Sequence, residues 1–353
     1  MSVLVYEHRI ILPVLIDSIN SGINISPLLN PHHSTSQELP SPNLKPRHRD
    51  LIATPCGPIK PWSELSCLVK LYYFFAVLSL MTVMAVTVWN IYNQNKDKAH
   101  GEDFTVSLIQ LISTFFCCYY ITRGVLQENH QELIAFVVSV LVVMIRSIAN
   151  FIVSQYKENN SLILVRFVCI TCVGILHVIC SIILICTPNM MSFRVGGALE
   201  SLQDQYFLLN LSFSLVTFDL QAQICLCILV LSSGLYDISY SHSILLGFGI
   251  FWVSLTAAVG VIAVLKEKKV LVWIFLLQSL PELAYLIYLF YLVIKEWGAG
   301  ESYVLEAATI IGAFTSVFIK AVLFWTLQRL CRCFGQGLQE RMFATEEQDK
   351  ICS

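Results

Sequence analysis

The chain has 353 residues, of which 56% are apolar and only 13% are charged, and its formal net charge is −2. Soluble domains carry about a quarter charged residues, so this composition indicates a membrane protein. The small negative charge argues against a nucleic acid partner, because contacts to phosphates require an excess of basic residues. The 13 cysteines fall mostly inside apolar stretches, which favours packing over a disulfide framework.

The first 62 residues differ in composition from the rest of the chain. They contain nine of the eleven prolines, together with many serines and histidines. Such a segment cannot bury enough apolar surface to fold alone. We therefore predict that residues 1–62 form a disordered, proline-rich cytoplasmic tail, through which protein partners could bind.

Long apolar stretches begin after this tail. About twenty apolar residues are needed for a helix to cross the hydrocarbon core. The fifth stretch is the most polar, with seven polar residues in LNLSFSLVTFDLQAQIC. The predicted fold class is an all-α, polytopic helical bundle of about eight transmembrane helices over 63–327, followed by a short cytoplasmic C-terminal tail, 328–353. The predicted spans are 71–92, 104–122, 132–154, 162–187, 207–232, 243–265, 270–294 and 303–327.

The lysines and arginines that flank the spans predict the orientation. Eight spans with the amino terminus inside place ten of these residues on the inner side and five on the outer side. Cytoplasmic flanks carry the excess of Lys and Arg, so both termini are expected in the cytoplasm. The excess of Lys and Arg on the cytoplasmic side is the same in the plasma membrane and in internal membranes, so it does not identify the membrane.

Several charged and polar side chains fall inside the predicted spans. Exposure of a charge to lipid costs at least about 2.5 kcal/mol, so these side chains should face the interior of the bundle. We predict that they form a buried polar cluster, and a solute site if water reaches it. They are Arg146 and Asn150 in the third span, His177 in the fourth, Asp219 in the fifth, Gln278 and Glu282 in the seventh, and Lys320 in the eighth.

The fifth span carries polar residues on two opposite faces when it is read as a helix. Asn210, Ser214 and Gln221 share one face, and Asp219 and Gln223 share the other. A helix that is polar on opposite sides should have protein on both sides. The fifth span is therefore expected at the centre of the bundle.

Pro281 and Glu282 lie together in the middle of the seventh span. Proline removes one backbone hydrogen bond and often kinks a membrane helix, and a kink beside a buried carboxylate occurs both in solute sites and in plain helix packing. Because a lone carboxylate would be costly there, Glu282 should pair with Arg146 or Lys320.

No catalytic signature of a known type occurs in the chain, so we expect no enzymatic activity, no cofactor and no metal site. No internal repeat between the first four and the last four spans is evident. Cys331 and Cys333 follow the last predicted span in a basic setting, which predicts palmitoylation.

Two functions remain open from the sequence. The leading interpretation is a receptor-like or assembly subunit, in which the buried charges hold helices together. The alternative is a transporter or channel for a small polar or ionic solute, in which the same charges form the site. The lipid bilayer is the expected partner in both cases.

Overall fold

The structure, a computed structural model, describes residues 52, 54, 57–97, 101–157, 161–187, 190–197, 199–232, 240–295 and 303–335. Most of the two predicted tails lies outside these residues. Within the described part the chain is almost entirely helical. The helices are α1 Cys67–Asp97, α2 Gly101–Leu126, α3 His130–Lys157, α4 Ser161–Cys186, α5 Met190–Gly196, α6 Glu200–Ser232, α7 Tyr240–Leu265, α8 Lys269–Lys295 and α9 Tyr303–Cys333.

The predicted all-α membrane bundle is confirmed. Each predicted span coincides with one long helix, and only the fourth extends one residue beyond its helix. Seven of the described helices are long and apolar enough to cross a membrane. The remaining long helix, α3, has 28 residues, and its apolar part is His130–Ile145.

The sequence missed two features of the helices. The short helix α5 occupies the predicted loop between the fourth and fifth spans. The last helix continues to Cys333, six residues beyond the predicted end at 327. Cys331 and Cys333 therefore lie on α9 and not in a tail that follows it. Cys331 also packs against the hydrophobic core, and palmitoylation of both residues stays a prediction.

The bundle has two main hydrophobic cores. One lies among α1, α2, α3 and α4, and the other lies among α5, α6, α7, α8 and α9. Helices adjacent in sequence pack against each other in both groups, and α6 also packs against α2 and α3. The expected central place of the fifth span is thus observed. Its polar residues on both faces are buried, namely Asn210, Ser212, Ser214, Asp219, Gln221 and Gln223.

The chain just before α1 is held against the bundle. The backbone N–H of Lys60 donates to the carbonyl of Leu126, and its ammonium lies 2.8 Å from Glu128 Oε1. Glu64 pairs with Arg194 of α5 at 2.7 Å. Contacts with the bundle therefore begin before residue 63, the predicted start of the transmembrane region. They form because polar residues of this segment bind the turn after α2 and the short helix α5.

Tight packing at one glycine gives a test of the fold. A Cβ atom at Gly260 would lie 2.8 Å from Cε2 of buried Phe275 and 3.3 Å from Cγ1 of Val216. Forcing a methyl group into such a contact usually costs about 1–3 kcal/mol. We expect Gly260→Ala to lower the unfolding temperature of the detergent-solubilised protein.

Gly249 is the matched control on the same helix. No atom lies within 4 Å of the position that its Cβ would take, and alanine is the better helix former by about 1 kcal/mol. Gly249→Ala should leave the unfolding temperature unchanged or raise it. Equal losses in the two variants would contradict the close α7–α8 contact.

Candidate functional site

A lysine shared by two carboxylates lies between α6, α8 and α9. Lys320 donates to Asp219 Oδ2 at 2.7 Å and to Glu282 Oε2 at 2.7 Å. Lys320 is 1% exposed, Asp219 is 6% exposed and Glu282 is 5% exposed. We call these three residues the triad. Each comes from a different helix, so the triad connects three helices by charge-assisted hydrogen bonds.

The positions of the three side chains follow from the sequences of their helices. Asp219 lies on the central helix α6, which is flanked by protein on both sides. Lys320 follows buried Ser316 by one turn on α9. Glu282 directly follows Pro281, and α8 continues through this proline. The predicted kink at Pro281 stays a prediction.

A tryptophan supports the backbone near that proline. The indole Nε1–H of Trp252 donates to the carbonyl of Gln278 at 3.2 Å, one turn before Glu282. Pro281 removes the backbone hydrogen bond that would end at the carbonyl of Leu277, and the indole from α7 supplies a donor to the neighbouring carbonyl of Gln278. Gln278 itself is half-buried, on the same face as Glu282.

The charges of the triad do not balance. Two carboxylates share one ammonium, which leaves one excess negative charge when both are ionised. Each carboxylate gives one oxygen to Lys320. The other oxygens, Asp219 Oδ1 and Glu282 Oε1, are buried and accept no hydrogen bond of normal geometry from the described residues, although the side chains of Gln223 and Thr256 interact with the two carboxylates. A buried carboxylate oxygen without a donor is costly, and binding of a proton or a small cation would remove that cost.

The structure separates the predicted cluster into parts. Of the two partners expected for Glu282, Lys320 is the one in contact. The side chains of Arg146 and Asn150 lie outside the described residues, although their backbone belongs to α3. His177 does not join the triad. It lies among α1, α3 and α4, at the hydrophobic core that these helices form with α2.

His177 forms a separate polar contact. Its Nε2 lies 2.8 Å from Ser79 Oγ, and that hydroxyl donates to the carbonyl of Ala76. When the Ser79 hydroxyl gives its hydrogen to that carbonyl, Ser79 Oγ accepts from the imidazole, which then carries its proton on Nε2. The rings of Tyr72, Phe75 and Phe136 surround the imidazole, with centroid distances of 6.2, 5.7 and 5.8 Å.

A third buried polar group was missed by the sequence analysis. Arg123 pairs with Glu132 at 2.6 Å, with exposures of 6% and 0%, and its guanidinium also lies 3.5 Å from the centroid of the Phe213 ring. In the charge count that predicts the orientation, Arg123 is one of the flanking charges on the inner side. The feature of the sequence that indicates this pair is the short turn between α2 and α3, which brings two residues nine positions apart into contact.

The chemistry of these groups is limited to protons, cations and hydrogen bonds. Among the described residues no three His, Cys, Asp or Glu side chains come together to hold a metal. The triad could bind a proton on either carboxylate. The Arg123–Glu132 pair is balanced one to one, so it needs no further charge.

The unequal charges of the triad predict an order of stability among variants. Glu282→Gln leaves Lys320 paired with Asp219, so its effect on the unfolding temperature should be small. Lys320→Gln leaves two buried carboxylates without a cation, and breaking buried pairs costs about 3–5 kcal/mol. It should therefore be the most destabilising single change. The measurement is thermal unfolding of the detergent-solubilised protein.

A triple variant is the control for this order. Lys320→Gln combined with Asp219→Asn and Glu282→Gln removes all three charges, and it should recover most of the stability lost in Lys320→Gln. If Lys320→Gln proves as mild as Glu282→Gln, the buried triad is contradicted.

Comparison with known proteins gives a family and no activity. No curated protein and no solved structure matches the chain. A protein-family model, described as a domain of unknown function, matches residues 56–186 and 196–329. These stretches contain seven of the eight long helices completely, α9 as far as residue 329, and the triad. The chain therefore belongs to the family of the domain of unknown function DUF7789.

Proposed function

We propose that this membrane protein is a proton-coupled transporter of a small polar or ionic solute, with the triad as its proton site. The observation that carries the proposal is the charge ratio at Lys320, where two buried carboxylates share one ammonium. A group that only holds helices together has no need of the second carboxylate, as the balanced Arg123–Glu132 pair illustrates.

Protonation would change how the triad holds its helices. With a proton on Asp219 or Glu282 the triad is neutral, and Lys320 keeps one ionic partner. When the proton leaves, both carboxylates compete for Lys320, and the excess charge is repelled by an apolar interior. The strength with which α6, α8 and α9 pack against one another would then depend on whether the triad is protonated. Ionisable residues inside membranes commonly serve as such proton sites.

The place of Glu282 supports a mobile role for α8. The helix contains Pro281, and its backbone beside Glu282 is bonded by Trp252 of another helix. Prolines in transporter helices often mark the segment that rearranges around the site. A proton on Glu282 would therefore act next to the proline, where the helix lacks one backbone hydrogen bond.

A second candidate is a subunit that does not transport, receptor-like or part of an assembly. The near-complete burial of all three triad residues favours it, because a solute site must open to water at some stage. In this interpretation the triad fixes the packing of three helices, and partners bind through the N-terminal tail. Neither candidate involves a catalytic step, a cofactor or nucleic acid.

Proton movement distinguishes the two candidates. In proteoliposomes with an internal pH-sensitive dye, a potassium diffusion potential should drive protons inward through the wild-type protein. The small-molecule fraction of a cell extract, present on both sides, supplies the solute. Glu282→Gln should abolish this acidification, because the side chain can no longer bind a proton.

Glu128→Gln is the matched control for the flux experiment. Glu128 is also ion-paired, with Lys60, but it lies in the turn after α2 and outside the triad. Its variant should acidify the vesicles as fast as the wild type does. Acidification no faster than in protein-free vesicles would count against transport and in favour of the subunit.

The proposal includes the orientation that the flanking charges predict, with both termini in the cytoplasm. Epitope tags before Met1 and after Ser353 should be labelled only in permeabilised cells. A tag between residues 234 and 239 should be labelled in intact cells if the protein reaches the plasma membrane. In sealed microsomes, the two terminal tags should be digested by added protease. A protected C-terminal tag would refute this orientation.

A further inference from the structure

The two stretches that match the same family model have the same helical content. Residues 56–186 contain α1, α2, α3 and α4, and residues 196–329 contain α6, α7, α8 and most of α9. The helices have 31, 26, 28 and 26 residues in the first stretch and 33, 26, 27 and 31 in the second. Each set also surrounds its own main hydrophobic core.

The turns between the second and third helices agree in detail. One helix ends at Leu126 and the next begins at His130, while in the other set these positions are Leu265 and Lys269. Each turn contains a glutamate in the left-handed region, Glu128 with φ 49° and Glu267 with φ 48°. This conformation is uncommon for residues other than glycine, so its recurrence at the same place is informative.

The glutamates of the two turns also have similar roles. Glu128 binds Lys60, which precedes α1, the first helix of its set. Glu267 accepts a hydrogen bond from Gln205, in the first turns of α6, which is the first helix of the other set. In each set, the turn between the second and third helices is thus tied to the start of the first helix.

The buried polar contacts occupy matching positions in the two stretches. Ser79 lies 49 positions before Glu128, and Asp219 lies 48 positions before Glu267. His177 lies 16 positions after the start of α4, and Lys320 lies 17 positions after the start of α9. Ser79 and His177 touch at 2.8 Å, and Asp219 and Lys320 touch at 2.7 Å. In both pairs a side chain of the fourth helix donates to one of the first.

We propose that the chain consists of two copies of one four-helix unit, and that Ser79–His177 is the first copy's counterpart of the Asp219–Lys320 pair. Four spans return the chain to the same side of the membrane. The copies therefore have the same orientation, as in transporters built from parallel repeats. This proposal concerns the architecture and stands whether or not the protein transports protons.

The repeat also identifies the triad charge that has no polar counterpart in the first copy, which is Glu282. Glu282 lies 15 positions after Glu267, and the residue 15 positions after Glu128 is Val143. The first copy therefore joins its first and fourth helices by neutral hydrogen bonds, Ser79–His177 and the adjacent Tyr72–Ser181, and places an aliphatic residue where the second has its extra carboxylate. The fold of the unit requires a polar contact at this crossing but no charge.

Transplanting the charged pair into the first copy tests the equivalence. His177→Lys alone places an ammonium beside Ser79 without a carboxylate, and the unfolding temperature should fall by on the order of 10 °C. Adding Ser79→Asp should restore most of this loss, because the new carboxylate takes the place that Asp219 has in the second copy. Thermal unfolding of the full-length, detergent-solubilised protein is the measurement.

Met81→Asp with His177→Lys is the control, because Met81 lies about 200° around α1 from Ser79 and is exposed. It should give no recovery. The aromatic rings around His177 could crowd the longer side chains, so Tyr72→Ser is added in a further variant. It reproduces Ser212, which lies 16 positions after residue 196 as Tyr72 lies 16 after residue 56. Recovery in neither transplant would overturn the equivalence.

Discussion

A lysine ammonium cannot remain inside a lipid-facing bundle without a carboxylate beside it, and this requirement sets the arrangement of α6, α8 and α9. Lys320 is almost completely buried, so its charge must be balanced by groups that other helices supply. Asp219 provides one from the central helix, and Glu282 provides another from the helix that contains Pro281. Three helices thus share one nitrogen atom as a common contact, and loss of the lysine acts on all three.

The bundle contains three kinds of buried polar contact, and their differences are informative. Ser79–His177 is neutral, Arg123–Glu132 is balanced, and the triad carries one more acidic group than basic groups. Each of the three leaves at least one buried polar atom without a hydrogen bond among the described residues, such as His177 Nδ1, Glu132 Oε2 and Asp219 Oδ1. What distinguishes the triad is its second carboxylate, which exceeds what pairing a single ammonium requires. This excess acidic group is the physical basis of the proposed proton site.

Much of the fold could be predicted because lipid imposes strong rules on sequence. Span lengths follow from membrane thickness, and the polar faces of α6 required protein on both sides. Charge pairing left Glu282 with two candidate partners, of which the structure has Lys320. The contacts of Ser79, Arg123 and Glu132 could not be predicted in the same way. A single serine in an apolar helix has no preferred partner, and charges near a helix end are equally stable in water. Which contacts form depends on helix rotation and on turns, neither of which the hydrophobic pattern specifies.

The repeat shows why similarity between halves of a membrane protein can escape a reading of the sequence. Most positions on a membrane helix need only be apolar, so Val, Leu, Ile and Phe replace one another and leave little trace of common origin. The buried polar contact where the first and fourth helices cross is more restricted. It requires a hydrogen-bond donor and an acceptor, but it does not require particular residues. Histidine with serine satisfies it in one half, and lysine with aspartate satisfies it in the other. The similarity is therefore kept in position and in hydrogen-bond direction, while residue identity is lost. In the second half, the carboxylate of Glu282 lies beside a cation that Asp219 also binds, and this cation lowers the cost of burying a further ionisable group.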